Sequence, residues 1–151
     1  MAAALMTNAV YESASKDSGL LPYRSTMAGY ALGIAAANAT IKFINEETLL
    51  ENVKLRAREI TSGLNQLARE GMGISDISGR GLLMAFKPRN YRDEAWAGFR
   101  CIQDLYERRI LCSLALENPE YVTLTPALNI TSAETQAFLN TLRALLEADL
   151  A

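Results

Sequence analysis

The sequence contains no histidine. That absence excludes Ser-His-Asp and Cys-His nucleophile arrangements, HExxH zinc sites and any imidazole general base. Acid–base work is left to Lys, Tyr, Cys and carboxylates. Cysteine is almost as scarce: Cys101 and Cys112 are the two, too few for a disulfide framework or a zinc cluster. The expectation is two reduced thiols in a cytoplasmic protein and no metal site. Neither sign of charge is in excess, with 15 basic against 17 acidic residues. The clustered positive charge that phosphate backbones require is missing, so no nucleic-acid partner is expected. No apolar run approaches the roughly 20 residues of a membrane helix. No Lys or Arg precedes Lys16, so the apolar stretch from Met1 to Val10 lacks the basic start of a secretory signal, and no membrane partner is expected.

What is present is the balance of a globular protein: 151 residues, 50% hydrophobic and 21% charged, enough to bury a core without metals or disulfides. Ala2–Met6 is compatible with a buried strand and Asn8–Ala14 with a brief helix, while Ser15–Ser25 collects Ser, Gly, Pro and charge and reads as a loop. From Ala28 to about Asn45 small apolar residues recur at helical spacing (Ala31, Leu32, Ala35, Ala36, Ala39), which predicts a helix that approaches a neighbour closely. Thr48 and Glu51 have the spacing of a capping box. Val53, Ala57, Ile60, Leu64, Leu67 and Ala68 then step by three and four, and Gly71 and Gly73 close the helix.

Two short strands are predicted at Ile74–Ile77 and Leu82–Phe86, flanking Ser78-Gly79-Arg80-Gly81, which reads as a tight turn with a solvated arginine. Asp93 is placed to cap a further helix with Trp96, Phe99, Ile102 and Tyr106 on one face. Strands follow at Ile110–Leu114 and Tyr121–Thr125, and Thr131 and Glu134 form a second capping box before a last helix carrying Phe138, Leu142, Leu145, Leu146 and Asp149. The fold class is therefore α/β, or α+β for the smaller domain: a short mixed or antiparallel sheet with long helices packed on one face.

No constellation in the chain is sufficient for catalysis by itself. Lys16, Lys42, Lys54 and Lys87 sit in polar surroundings, whereas a nucleophilic lysine must be desolvated or electrostatically tuned. The stretch from Tyr23 to Gly29 is more suggestive. It sets Ser25 and Thr26 at a helix start, where free N–H groups and the dipole favour an anion such as phosphate; plain helix capping is the competing reading.

Four strings in register resemble class III (fold type I) pyridoxal-phosphate-dependent aminotransferases. Met1–Glu12 is similar to the strand and short helix that follow that family's catalytic lysine. Ser25–Leu32 is similar to its Thr-aromatic-x-Gly-Asn/His-Pro-Leu motif, Ser78–Met84 to its Arg-Gly-x-Gly-Leu-Met turn, and Thr123–Thr131 to its Arg-x-x-Pro-Pro-Leu-x-Ile-Thr strand. The resemblance spans Met1 to Leu150 and implies a pyridoxal-phosphate-dependent transfer of an amino group between an amine or amino acid and a keto acid or aldehyde. It implies that residues 1–45 end the cofactor-binding large domain and that 46–151 form the small C-terminal domain. It also implies that Thr26, with Ser25 beside it, contacts the cofactor phosphate held by the other subunit of a homodimer.

The departures carry information too. The family's Schiff-base lysine and its pyridine-pairing aspartate would lie before Met1, so the resemblance implies a portion of a larger enzyme, with no catalytic residue in this chain and no activity in isolation. Thr123 stands where an arginine often clamps the substrate carboxylate, and a hydroxyl cannot replace a bidentate guanidinium. Either the substrate carries no carboxylate there, as with a diamine or ω-amine, or another arginine serves. Tyr30-Ala31 replaces the usual Asn/His-Pro. The alternative from a different class is a non-catalytic dimerisation or interaction module derived from the same fold.

Overall fold

Alternation along four short strands sets the architecture of the larger part of the chain. In β2 (Leu83–Pro88), Met84, Phe86 and Pro88 are buried while Ala85 and Lys87 are only half-buried; in β4 (Asn118–Leu124), Val122 and Leu124 are buried and Tyr121 and Thr123 half-buried. With a period of two, this gives one covered face and one open face. β1 (Ile74–Arg80) and β3 (Ser113–Ala115) complete an antiparallel sheet in the order β1-β2-β4-β3. The computed structural model describes residues 5–16, 26, 28–46, 48–89, 94–116 and 118–148. By their contacts the residues fall into two units, Met1–Glu47 and Thr48–Ala151.

In Thr48–Ala151 three helices cover the inner face of the sheet: α3 (Leu49–Arg69), α4 (Ala97–Glu107) and α5 (Ser132–Ala148). Ile60, Leu64 and Leu67 of α3, Cys101 and Leu105 of α4, and Leu142, Leu145 and Leu146 of α5 meet Met84, Phe86, Val122 and Leu124 in one core. Phe86 is fully buried, and truncating a residue so placed costs about 3–5 kcal/mol. The order of elements matches the sequence reading from the helix at Ala31–Glu46 onward: helix, helix, strand, strand, helix, strand, strand, helix.

The differences have local causes. α4 buries Ala97, Gly98, Cys101 and Leu105, whereas Trp96, Phe99 and Tyr106 of the expected inner face are exposed. Small residues are needed on the inner side because the helix backbone runs against β4: a Cβ on Gly98 would lie 2.6 Å from the Pro119 carbonyl oxygen. The expected cap Asp93 lies outside the described residues. Thr48 does not form a capping box: its backbone is left-handed (φ 50°) rather than extended, its hydroxyl makes no cap hydrogen bond, and the Glu51 carboxylate accepts from Lys54 instead. The Thr131 box does form: the Glu134 amide donates to Thr131 Oγ1 at 3.2 Å, and Glu134 Oε2 accepts from the Thr131 amide at 2.8 Å.

In Met1–Glu47 the structure describes α1 (Asn8–Ser15) and α2 (Ala31–Glu46). α1 is capped by Thr7, whose hydroxyl accepts from the Val10 amide. The strand expected at Ala2–Met6 falls partly outside the described residues; Leu5 and Met6 are exposed and irregular. The helix expected over 28–45 is present as α2, but none of its residues is buried, so the close neighbour that its alanines predict is not found among the described residues.

Two helices of the larger unit end in the same hydrogen-bonded cap with different residues. At the end of α3, Met72 N–H donates to the Leu67 carbonyl and Gly71 N–H to Ala68; at the end of α4, Ile110 N–H donates to Leu105 and Arg109 N–H to Tyr106. The residue in the left-handed conformation is Gly71 (φ 78°) in the first and Arg109 (φ 63°) in the second. A side chain there costs about 1 kcal/mol relative to glycine. Gly71→Ala should therefore lower, and Arg109→Gly raise, the thermal midpoint by a few degrees each, roughly 4–8 °C per kcal/mol for a unit of this size. Calorimetric melts of the two variants check this; equal shifts of one sign would contradict it.

The Thr131 cap also makes stability depend on pH. The Thr131 amide, and then its hydroxyl, hold the Glu134 carboxyl below the ordinary value of 4.5. Arg143, with Gln66 in support, holds Glu70 down in the same way. A carboxylate whose folded value is depressed stabilises the fold above its unfolded value, and that contribution is lost as pH falls through the folded one. Melting temperature should thus fall below about pH 4.5, and Glu134→Gln should flatten that fall while leaving Glu70's share intact.

Candidate functional site

The residues singled out in the sequence lie in both units. Thr26 belongs to the first, where it is exposed and followed by a turn at Ala28-Gly29 (φ 73° at Gly29) that leads through Tyr30 into α2. The Ile34 amide bonds back to the Tyr30 carbonyl, closing the first helical turn. That turn carries no acidic residue, so nothing in it repels an anion at the helix start; Thr26, expected at that start, instead lies five residues ahead of Ala31, beyond the Ala28-Gly29 turn. Ser25 lies outside the described residues.

Thr123 belongs to the second unit, on the open face of the sheet. Its cross-strand partners are Ala85 on β2 and Ser113 on β3, and Ala85 in turn faces Ser78 on β1. Directly opposed residues of an antiparallel pair share a face, so Ser78, Ala85, Thr123 and Ser113 form one row of small, uncharged side chains across all four strands. The neighbouring cation is committed: Lys87 Nζ donates to Glu120 Oε2 at 2.7 Å, with the lysine side chain 16% exposed. Further along, Arg89 Nε donates to Ser75 Oγ at 2.7 Å and its guanidinium lies 3.9 Å from Asp76, which also accepts from Tyr121.

The Ser78-Gly79-Arg80-Gly81 string is mostly strand. β1 runs to Arg80, and the turn is the pair Gly81-Leu82, with Gly81 (φ 58°) supplying the positive φ that a two-residue hairpin takes at its first central position. Gly79 is required for another reason: at φ 129° a Cβ would meet the Leu83 carbonyl oxygen across the hairpin. Arg80 is exposed, as the sequence suggests.

Two interactions escaped the sequence reading. Asn52 Nδ2 on α3 donates to the carbonyls of Leu128 (2.8 Å) and Ile130 (3.0 Å) and so ties down the loop that follows β4. Those partners are 76 and 78 residues away, and nothing local signals the pairing. The Lys87–Glu120 pair is likewise long-range. Burial pushes the Cys112 thiol up to about 11, which keeps it protonated and unreactive near neutral pH. Among the described residues no three His, Cys, Asp or Glu side chains are grouped to hold a metal, and no helix is long and apolar enough to cross a membrane.

Solved structures of similar fold include transaminases. The adenosylmethionine-8-amino-7-oxononanoate aminotransferase of Methanocaldococcus jannaschii superposes with a TM-score of 0.76 at 23% identity, over 94% of this chain and 34% of that one. A transaminase from the marine bacterium Virgibacillus gives 0.76 at 20% identity, over 95% and 34%. The ω-transaminase of Pseudomonas jessenii, solved in complex with PMP, gives 0.75 at 20% identity, over 89% and 30%. The present chain thus spans about a third of the length of these proteins. The family model for class-III aminotransferases matches residues 1–146, and on that match, with the helix-covered antiparallel sheet described above, the chain belongs to the class III aminotransferase family.

Proposed function

We propose that this chain is the C-terminal portion of a cytoplasmic pyridoxal-phosphate-dependent aminotransferase that works as a homodimer. Residues 1–45 would end its cofactor-binding domain and residues 46–151 would form its small domain. The observation that carries the reading is the family match over residues 1–146, in a chain that exposes the Thr26 hydroxyl ahead of a helix whose first turn carries no acidic residue. When bound, pyridoxal phosphate supplies the electron sink for moving an amino group between a small amine or amino acid and a keto acid or aldehyde. Thr26 would donate a hydrogen bond to the cofactor phosphate of the other subunit, with Ser25, its neighbour in the sequence, as a lesser candidate. Thr123 lies on the substrate side, where its hydroxyl and the small residues beside it offer no positive charge to a carboxylate.

None of the lysines here is placed as a nucleophile: Lys87 is held by Glu120 and Lys54 by Glu51, Lys42 lies 3.8 Å from Glu46, and Lys16 is exposed. The isolated chain is therefore inactive on this reading. α2, which buries no residue and exposes Leu32, Ile34, Ile41 and Phe43, agrees with a helix that is covered in the assembled dimer. The same surface would serve a non-catalytic interaction module, and cofactor binding separates the two.

Borohydride treatment of the isolated chain with pyridoxal phosphate should leave no stoichiometric lysine adduct, and finding one would overturn the claim of inactivity. In the intact enzyme, Thr26→Ala should weaken cofactor retention by about tenfold, the scale of one charge-assisted hydrogen bond. Unchanged affinity would return Thr26 to the role of a turn residue.

Donor preference tests Thr123. The intact enzyme should favour diamines or ω-amines over α-amino acids in kcat/KM, and Thr123→Arg should shift that ratio toward donors carrying a carboxylate. A wild-type enzyme that prefers α-amino acids bound through this strand would refute the assignment.

A further inference from the structure

On the helix-covered side of the sheet, a cleft of about 450 Å³ opens between α5, the segment after α4 and the end of β4. It lies on the opposite side of β4 from the Thr123 row, because Leu124, which lines it, points into the core. Its size falls within the range of small-molecule pockets, roughly 300–1,000 Å³. The lining is apolar where Ile110, Leu124, Ile130 and Phe138 meet, and Thr141 of α5 borders it.

The charged groups facing this cleft are Arg108 and Arg109 from the end of α4 and Glu134 from α5. Glu134 is already engaged, its Oε2 accepting from both the amide and the hydroxyl of Thr131 at 2.8 and 2.7 Å. Arg108 Nη1 donates to the Asp104 carbonyl at 2.8 Å. The Arg109 side chain has no ion pair or hydrogen bond among the described residues. It is also the residue held in the left-handed conformation, where α3 uses glycine. An arginine kept at a conformational cost, unpaired, beside an apolar cleft is arranged for an anionic head group with a hydrocarbon tail.

We propose that this cleft binds a small amphiphilic carboxylate, with the tail between Ile110, Ile130 and Phe138 and the head group on Arg109. The proposal does not depend on the aminotransferase reading, and its test needs neither cofactor nor activity.

Titration calorimetry of the 151-residue chain with octanoate, kept below micelle-forming concentrations, should show one saturable site. Octanol should bind at least about tenfold more weakly, the scale of a lost charge-assisted contact. Arg109→Gly should remove the preference for octanoate while raising the melting temperature, a combination that mere loosening of the fold cannot produce. Thr141→Trp should block both ligands. The proposal is overturned if no saturable binding occurs, if octanol and octanoate bind alike, or if Arg109→Gly keeps the wild-type preference. Should Thr141→Trp fail to fold, the Arg109→Gly result decides on its own.

Discussion

The apolar layer between the inner face of the sheet and α3, α4 and α5 is the constraint on which the larger unit depends. Phe86 and Val122 sit opposite each other on β2 and β4, both fully buried, with Leu64, Leu105 and Leu142 from the three helices buried around them. Because the strand repeat is two residues, seating Phe86 and Val122 inward forces Ala85 and Thr123 outward. A one-residue slip would place Thr123 in the core and Val122 in solvent. The chemistry of the open face is thus fixed by the packing of the covered one, and the close approach of α4 at Gly98 and the Asn52 clamp on the Leu128–Ile130 carbonyls hold that register from either side.

Among its described residues the smaller unit shows no such layer. α2 has a single charged residue before its final glutamate, yet it buries nothing among the described residues. A helix apolar around most of its circumference is a buried helix. Its propensity is sufficient to form it, since alanine is the best helix former, but propensity does not supply a partner for Leu32, Ile34, Ile41 and Phe43. This contrast fits a chain that spans about a third of the length of its structural neighbours.

Much of this was legible in the sequence where the determinants are local. The period of α3, the Thr131–Glu134 box and the glycine stop at Gly71 involve residues within five positions of each other. Legibility failed where tertiary contact decided the outcome. The sequence set Trp96, Phe99 and Tyr106 inward on α4 because large apolar side chains usually face a core. The helix instead lies so close to β4 that only Ala97, Gly98 and Cys101 fit beneath its first turns, and the aromatics turn outward. The Thr48–Glu51 spacing was right for a box, but a left-handed Thr48 and the competing Lys54 dissolve it. For the site, the strings around Thr26 and Thr123 were readable as strings; the row that Thr123 joins, and the Lys87–Glu120 pair beside it, exist only through strand register.

That register bears on the question left by the threonine at position 123. If a substrate carboxylate were bound at this strand, some cation on the open face would have to replace the absent arginine. Lys87 is committed to Glu120, and withdrawing it would strand a half-buried carboxylate. Arg89 is engaged with Ser75 and lies near Asp76. Arg80 shares the face of Ser78 but lies two residues further along β1, opposite Leu83. It is therefore about 7 Å along and two strand spacings, about 10 Å, across from Thr123. A guanidinium reaching back over that diagonal would have to lie flat across the hairpin rather than stand off the sheet, as strand side chains do. The described residues of this domain therefore present a neutral wall at Thr123, and on the proposed reading any carboxylate specificity comes from residues other than these.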